Sequence, residues 1–386
     1  MHARPGNDFP VAGQGEPEPK EQFDPFTDVE AGGYYEKAVL WAVEQGVTEG
    51  TSAEFFSPDD LCTYAQIITF LWRACGRPEM NWPTDMTKDW PDSWYKDAVT
   101  WADRNALLED EVGRFDPETS CSRARTMVWL YRDAIVYASD VIQLMEAVGS
   151  GREIYLSPGT YDLSEWIEYI MEGQPWDTGN PAVTLTQVDD GWGIQIQDVQ
   201  NLTIAAQPGA EGTVAFTVEP RYANVLSFLN CDGVTIDGLT MGHETEQGAG
   251  QGAALHFDGC GAVSLNTLDL YGSAYGLTAE NVSGISAAGV LIRDCSRGAM
   301  TLSDVWNATF NGCVFRDCGE FTTLEIMSSA VEFAGSTFSG NAGTQEGGFL
   351  YTDSASSVSF LGCTLDDASR EAVAGHPLYG QNVFLS

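Results

Sequence analysis

The sequence predicts a multidomain chain in which an N-terminal all-α part of paired-helix repeats is followed by an all-β part, a parallel β-helix or solenoid. Two observations predict this architecture. A helical pattern recurs after about 60 residues in the first part, and a strand pattern recurs roughly every 23 residues in the second. The 41 glycines argue against a helix bundle, and the 43% hydrophobic content excludes a disordered chain.

The chain is strongly acidic, with 18 basic residues against 56 acidic ones and a formal net charge of −38. Because phosphate binding needs clustered basic side chains, this charge excludes nucleic acid as a partner. No apolar run reaches the roughly 18 residues of a transmembrane helix, so no membrane span is predicted. The first 20 residues also lack the apolar stretch of an export signal.

The helical part begins after residues 1–22, whose prolines, glycines and acids are typical of a flexible linker. Two repeats are predicted, at 23–80 and 81–140, from residues that recur in the same order: Tyr35, Ala38, Val39, Trp41 and Ala42 recur as Tyr95, Ala98, Val99, Trp101 and Ala102. Apolar residues three and four apart predict a pair of amphipathic helices in each repeat. Thr63 and Ser122 precede the second helix of each pair, where a hydroxyl can cap a helix start.

These repeats resemble the S-layer homology family, whose units pair two helices around a loop. The matching motifs are Phe-Thr-Asp-Val at 26–29, Gly-Val-Thr-Glu-Gly at 46–50 and a Phe-x-Pro loop before each second helix. The resemblance covers about residues 23–135. It implies noncovalent attachment to the secondary polysaccharide of a bacterial cell wall.

In that family a motif arginine and a loop aspartate contact an acidic sugar, which implies polymer-binding roles for Arg123 and Asp28. The first repeat has Tyr64 where the arginine is expected, and a phenol lacks the two parallel hydrogen bonds of a guanidinium. Its pocket is therefore predicted to be weak. The alternative is that Arg123 is only a surface ion-pair residue. Family members tend to use three units, so either a third unit and the export signal lie upstream of Met1, or two units suffice.

The second part contains six stretches with apolar or small residues at positions 0, 2, 5 and 7, starting at Val234, Val263, Ile285, Ala308, Val331 and Val358. Spacing of two marks one face of a strand, and the odd step marks a bend that often carries glycine. A further short strand precedes most stretches, for example at Leu255 and Phe257. Three strands and three bends per unit predict a parallel β-helix at 196–386. Residues 141–195 are predicted to form a cap and a loop excursion.

This pattern resembles right-handed parallel β-helix proteins of the pectate-lyase-like kind. The segment 155–161, Tyr-Leu-Ser-Pro-Gly-Thr-Tyr, matches a strand and turn common near their first turn. The resemblance implies the architecture of about residues 141–386. It does not imply an activity, because the fold hosts lyases, hydrolases, epimerases, phage tailspikes and silent adhesins.

Two arginines are candidates to clamp an acidic sugar. Arg-Asp-Cys occurs at 293–295 and again at 316–318, so these residues are predicted to stack in neighbouring turns. Arg293 and Arg297 would hold the sugar, although no base is evident beside them. The alternative is a stack of buried cysteines flanked by exposed ion pairs, which commonly contribute little.

His256, Asp258 and Asp269 form the candidate catalytic group. Two carboxylates can act as acid and base or nucleophile on a glycosidic bond, and a histidine can move protons near neutral pH. The alternative is that His256 and Asp258 are ordinary outward residues of a strand. The adjacent aspartates and arginine expected of polygalacturonases or calcium-dependent lyases are not recognisable, which disfavours an enzyme.

The irregular segment 166–192 is predicted to cross a lateral face of the solenoid. Its Trp176 and Trp192 could stack on sugar rings, and Asp189 with Asp190 could hold Ca²⁺, the one cofactor considered. The alternative is that these aromatic rings pack the loop onto the strands beneath.

The nine cysteines are scattered singly, with no Cys-x-x-Cys pair. Their spacing predicts neither a zinc site nor a disulfide framework, so most are expected to be small buried side chains. Stacking is expected to bring Cys295 and Cys318 close without requiring a bond.

The predicted function is that of a bacterial cell-surface protein, located in the cell wall or S-layer and held noncovalently to secondary cell-wall polysaccharide. Its β-helix would bind an environmental or host polysaccharide, or a host surface. The alternatives are a polysaccharide lyase or glycoside hydrolase, and a structural envelope component. Binding is favoured because a lyase acting on uronic acids needs cationic residues or Ca²⁺ to stabilise its transition state, and no lysine follows Lys96.

Overall fold

A computed structural model describes residues 26–44, 46–74, 93–104, 107–108, 116–172, 180–243, 250–319, 321–341 and 348–386. The chain divides into two units, Met1–Ile135 and Val136–Ser386. Within the described ranges, no helix is long and apolar enough to cross a membrane.

The first unit contains four short helices: α1 (Glu36–Glu44), α2 (Tyr64–Ala74), α3 (Lys96–Arg104) and α4 (Arg123–Ala134). Ile68, Val99 and Trp129 are fully enclosed in their shared core. The helices confirm the predicted helical repeat. The description "all-α" needs one correction, because an antiparallel bridge between Thr63 and Ser120 joins the loops that precede α2 and α4.

Side-chain caps begin both second helices. At α2, the Thr63 hydroxyl accepts the Gln66 N–H at 3.3 Å, and the Gln66 side chain accepts the Thr63 N–H at 2.8 Å, which together make a capping box. At α4, Ser122 Oγ accepts the Arg125 N–H at 3.1 Å. Both predicted caps are therefore confirmed.

The second unit is a parallel β-helix whose turns build three sheets. Sheet A contains, in spatial order, β1 (Ile135–Ala138), β2 (Glu153–Leu156), β6 (Thr203–Ala206), β9 (Val234–Asp237), β12 (Ala262–Asn266), β15 (Gly284–Ala288), β18 (Ala308–Asn311), β21 (Ala330–Ala334), β24 (Ser357–Leu361) and β26 (Val383–Leu385). Sheet B contains β3 (Gly159–Asp162), β7 (Val214–Thr217), β10 (Leu239–Gly242), β13 (Asp269–Tyr271), β16 (Leu291–Arg293), β19 (Val314–Arg316), β22 (Thr337–Ser339) and β25 (Thr364–Leu365).

Sheet C contains β4 (Val183–Val188), β5 (Gly191–Gln197), β8 (Leu226–Leu229), β11 (Ala253–Asp258), β14 (Tyr275–Glu280), β17 (Gly298–Ser303), β20 (Leu324–Met327) and β23 (Leu350–Thr352). Three helices complete the unit: α5 (Val141–Ala147), α6 (Leu163–Glu172) and α7 (Asp367–Ala374).

The inward columns of the β-helix confirm the predicted strand repeat. In sheet A the following residues lie in register on successive strands: Val234, Val263, Ile285, Ala308, Val331 and Val358. Near the C-terminal end the core becomes a ladder of phenylalanines. The ring centroid of Phe333 lies 5.2 Å from that of Phe310 and 5.1 Å from that of Phe360. Each turn therefore buries its apolar side chains against its neighbours.

The bend between sheets A and B uses a left-handed backbone. Gly335 takes this conformation at φ 57°, and Thr267 takes it at φ 52° in an earlier turn. A Cβ at Gly335 would meet nothing within 4 Å, so glycine relieves backbone strain there rather than crowding. The predicted glycine bend is confirmed at Gly238, Gly289, Gly312, Gly335 and Gly362.

The segment 141–195 differs from its prediction as a cap and loop. Strands β2 and β3 pair in parallel with β6 and β7, so the stacked sheets begin well before residue 196. The span 166–192, predicted to be irregular, contains most of α6, all of β4 and the start of β5, which pairs antiparallel with β4. The helix is stabilised by buried apolar residues such as Trp166 and Ile170. The hairpin turns through Asp189 and Asp190 ahead of Gly191, and this Asp-Asp-Gly run is a turn signal that the sequence interpretation did not use.

Candidate functional site

Asp28 lies before α1, and its carboxylate binds the loop that precedes α2. One oxygen accepts the Phe56 N–H at 2.8 Å and the other accepts the Ser57 N–H at 2.7 Å. Desolvation raises the pKa of Asp28, but these backbone donors outweigh it and hold the pKa below its ordinary value. The carboxylate therefore orders the loop. Its contact with a wall polymer stays a prediction.

We expect the helical unit to lose stability in acid, because the pKa of Asp28 is lower in the folded chain than in the unfolded one. Its contribution is present above the unfolded pKa, about 3.9, and is lost as pH falls through the folded value. Asp28→Asn should lower the Tm of the helical unit, followed by helical ellipticity, at pH 7. It should also weaken the dependence of this Tm on pH between 7 and 2. Glu30→Gln, a change at an exposed acid nearby, is the control. An unaltered acid profile in Asp28→Asn would contradict this role.

Arg123 and Tyr64 occupy matching positions in the two repeats but have different environments. Arg123 is the exposed first residue of α4. The Tyr64 ring packs edge-on against Trp129, with centroids 5.0 Å apart, and belongs to the margin of the helical core. Arg123 lies in the first turn of α4, at the positive end of the helix dipole, and no acid in that turn offsets its charge. Helix stability therefore does not explain an arginine at this position.

A column of mostly polar side chains follows the outward face of sheet C. We call it the outer column, and its members lie in register on successive strands: Ser227, His256, Thr278, Thr301, Glu325 and Tyr351. Leu255 and Phe257, on either side of His256, are fully buried. Alternation along the strand therefore turns the outer column away from the core.

A rim lies beside the outer column and is formed by Tyr275, the first residue of β14, and by the loop residues Arg297 and Phe321. Arg297 Nη2 donates to Gln251 Oε1 at 2.9 Å, and its guanidinium lies 5.8 Å from the centroid of the Phe321 ring. Desolvation, and then the charge of Glu325, raises the pKa of Tyr275, while the charge of Arg297 opposes this shift. The Tyr275 hydroxyl therefore stays protonated at neutral pH and can donate a hydrogen bond.

His256 is a neutral member of the outer column. Its Nδ1 lies 2.8 Å from Thr278 Oγ1. Desolvation lowers the pKa of His256 and outweighs the charges of Asp258 and Glu280, which raise it. The imidazole is therefore uncharged at pH 7 and can exchange hydrogen bonds without acting as a cation. Asp258 and Glu280 are themselves register neighbours on β11 and β14.

Asp269 lies on β13 in sheet B, so its side chain leaves a different sheet from that of His256. The Arg293 guanidinium donates to both oxygens of Asp269, at 2.9 and 3.1 Å, and to Asp294 at 2.8 Å. It also lies 4.9 Å from the centroid of the Tyr271 ring. Hydrogen bonding to Asp269 is the foremost cause of the raised pKa of Arg293. These contacts fit the ion-pair alternative and leave Arg293 little capacity to clamp a sugar.

The two tryptophan candidates are near the start of the β-helix. Trp192 lies on β5, is half-buried and packs against the β-helix core, as in the packing alternative. Trp176 lies outside the described residues, and its stacking on sugar stays a prediction.

The calcium candidates occupy the turn of the β4–β5 hairpin. The Asp190 carboxylate accepts the N–H groups of Arg221 and Tyr222 at 2.9 and 3.1 Å, and so orders the loop after β7. Asp189 is exposed. In the part of the chain that the structure describes, no three His, Cys, Asp or Glu side chains are arranged to hold a metal ion.

Sequence reasoning missed Tyr275, Phe321, Glu325 and Tyr351. Glu325 and Tyr351 could have been found from the sequence. Each occupies the outward position of its strand, in register with the outward residue of the strand before it. No comparable signal marks Phe321, which lies in a loop, or Tyr275, which has the parity of the inward Leu277.

The family model of the S-layer homology domain matches residues 25–68, and that of the right handed beta helix region matches residues 251–384. A solved rhamnogalacturonan lyase is similar at 13% identity and a TM-score of 0.29, over 58% of this chain and 57% of that chain. None of the curated proteins matches. S-layer homology domains bind cell-wall polysaccharide, which implies a location at the cell surface. The chain therefore carries an S-layer homology domain followed by a right-handed β-helix region, and both resemblances are confirmed.

Proposed function

We propose that this protein is held noncovalently on secondary cell-wall polysaccharide and that its β-helix binds a neutral polysaccharide along sheet C. One observation carries the second half of the proposal: the outer column lies directly beside the rim of Tyr275, Arg297 and Phe321. This arrangement combines aromatic surface with hydrogen-bonding side chains on one lateral face.

The chemistry of the face suits a sugar chain. Phe321 is 40% exposed and Tyr351 is 46% exposed, so both rings offer apolar surface to the C–H face of a sugar. The outer column offers the His256 imidazole, the Glu325 carboxylate and the Tyr351 hydroxyl to sugar hydroxyls, whereas Ser227 and the Thr301 hydroxyl are buried. A polymer lying along the column would meet both kinds of group repeatedly.

Charge favours a neutral polymer over one made of uronic acids. Asp258, Glu280 and Glu325 are on this face of a chain whose net charge is −38, and Arg297 is the cation of the rim. Carboxylates on the ligand would be repelled by these groups. Arg293 does not offset them, because it lies on β16 of sheet B, where it is paired with Asp269 and Asp294.

The test is affinity electrophoresis of the full chain through gels that contain neutral or uronic-acid polysaccharides, with and without Ca²⁺. We expect neutral polymers to retard the protein, and Phe321→Ala to weaken the affinity about threefold to tenfold. Trp306→Ala removes another ring, 63% exposed and outside the site, and is the matched control. Equal retardation of both variants would contradict the assignment of the face, and binding confined to uronic acids would contradict the ligand class.

A second candidate function is glycoside hydrolysis, favoured by one observation. Asp258 and Glu280 are direct neighbours on adjacent strands, a like-charge pairing that destabilises a sheet, so stability does not explain it. Two such carboxylates could serve as acid and nucleophile or base. New reducing ends in the same polysaccharide panel, abolished by Asp258→Asn, would favour hydrolysis. Retardation without products would favour binding alone.

A further inference from the structure

Two half-buried cysteines of the helical unit, Cys62 and Cys121, adjoin the bridge between the repeats. The bridge pairs Thr63 with Ser120, and beside it the Cys121 N–H donates to the Cys62 carbonyl oxygen at 2.8 Å. The bridge is isolated, and this single hydrogen bond makes Cys62 and Cys121 direct neighbours across the two loops.

This placement suits a disulfide. Hydrogen-bonded residues of an antiparallel couple have Cα atoms about 5.5 Å apart, within the range of about 4.4–6.8 Å that a disulfide spans. Cys121 Sγ now lies 3.4 Å from Thr126 Oγ1, so a side-chain rotation is needed to redirect it. Burial, and then the charge of Cys121, raises the pKa of the Cys62 thiol.

We propose that Cys62 and Cys121 form a reversible disulfide that joins the two helix pairs under the oxidising conditions outside the cell. The oxidant is a small-molecule disulfide. One cysteine thiolate attacks it, forms a mixed disulfide and releases one small thiol. The second thiolate then attacks the protein sulfur of the mixed disulfide and releases the second small thiol. Two protein thiols are oxidised, and one small disulfide is reduced to two thiols.

The other described cysteines provide an internal comparison. Cys295 and Cys318 stack in neighbouring turns of the β-helix but are each only 2% exposed, so a soluble oxidant cannot reach them in the folded chain. The Cys62–Cys121 link would close a loop of about 60 residues and restrict the unfolded chain accordingly. It would also fix the backbone two residues before Arg123, the residue proposed to contact the wall polymer.

The experiment treats the full chain with oxidised glutathione without denaturant, then digests it with trypsin without reduction. We expect the intact protein to lose two hydrogen atoms in mass and the peptides 38–73 and 115–123 to be joined. The helical Tm should rise by at least roughly 5 °C, fall again on reduction and stay unchanged in Cys62→Ser. Because the raised pKa limits the thiolate, the reaction should accelerate above neutral pH.

Three outcomes would overturn the proposal. They are a link from Cys62 or Cys121 to Cys75 instead, a link that forms only after denaturant is added, and glutathione remaining attached to Cys121 in the presence of a free Cys62. Cys295→Ser is the control variant, and it should leave the linked peptides and the Tm shift intact. The result does not depend on whether the β-helix binds a sugar.

Discussion

Phe333→Ala is expected to destabilise the β-helix by about 3–5 kcal/mol, the cost of emptying a fully buried aromatic site. Phe333 has no exposed surface, and its ring contacts four others. Stacked partners lie 5.2 and 5.1 Å away at Phe310 and Phe360, and edge-on partners lie 5.6 and 5.3 Å away at Phe315 and Phe338. The neighbouring turns cannot collapse into the space without breaking the register of their strands. Urea denaturation followed by near-ultraviolet circular dichroism measures the loss.

The matched control for this change is Phe384→Ala, on the last strand of the same sheet. Phe384 is 42% exposed, so its removal should cost less than about 1 kcal/mol. Because solenoid turns contact only adjacent turns, Phe333→Ala is also expected to separate the unfolding of the C-terminal turns from that of the earlier ones. Similar destabilisation by the two variants would show that the aromatic ladder is not a centre of stability.

Arg123→Ala is expected to weaken attachment of the full chain to purified cell-wall polysaccharide about tenfold to hundredfold, the loss of charge-assisted hydrogen bonds to a carboxylate. Arg123→Lys should recover only part of the affinity, because an ammonium cannot bind a carboxylate through two parallel hydrogen bonds. Cosedimentation with wall fragments measures the change.

The position of Arg123 makes this experiment easy to interpret. A cation in the first turn opposes the helix dipole, so Arg123→Ala should preserve or slightly raise the stability of α4, and weaker attachment would not result from unfolding. Arg316→Ala removes one positive charge from the β-helix, where Arg316 pairs only with Asp317 among the ion pairs that the structure describes, and it is the control. Unchanged cosedimentation of Arg123→Ala would leave Arg123 as an ordinary surface residue.

The repeated parts of the fold were predictable because each turn of the β-helix repeats the same pattern of residues. The column that begins at Val234 and the bend at Gly335 follow directly from the alternation of apolar residues and glycine. The hairpin of β4 and β5 was missed because it occurs once, and a search for repeats passes over its local Asp-Asp-Gly turn.

The candidate site was harder to predict than the fold, for two physical reasons. Tyr275 has the parity of the inward Leu277, yet at the start of its strand it approaches Glu325 two turns further on. Strand alternation alone would therefore place it in the core. Arg293 was expected to be available to a ligand, but Asp269 in the preceding turn accepts two of its N–H groups and holds it in an ion pair. Whether a charged side chain is free depends on its neighbours in the adjacent turns.

The outer column also has a physical length. Its six positions, from Ser227 to Tyr351, are separated by five strand spacings, which amount to roughly 24 Å at about 4.8 Å each. A short oligosaccharide would touch only some of these positions, and a long one would touch all of them. Sheet C could thus distinguish sugar chains by their length, because a longer chain contacts more positions of the column, rather than by the shape of a single sugar.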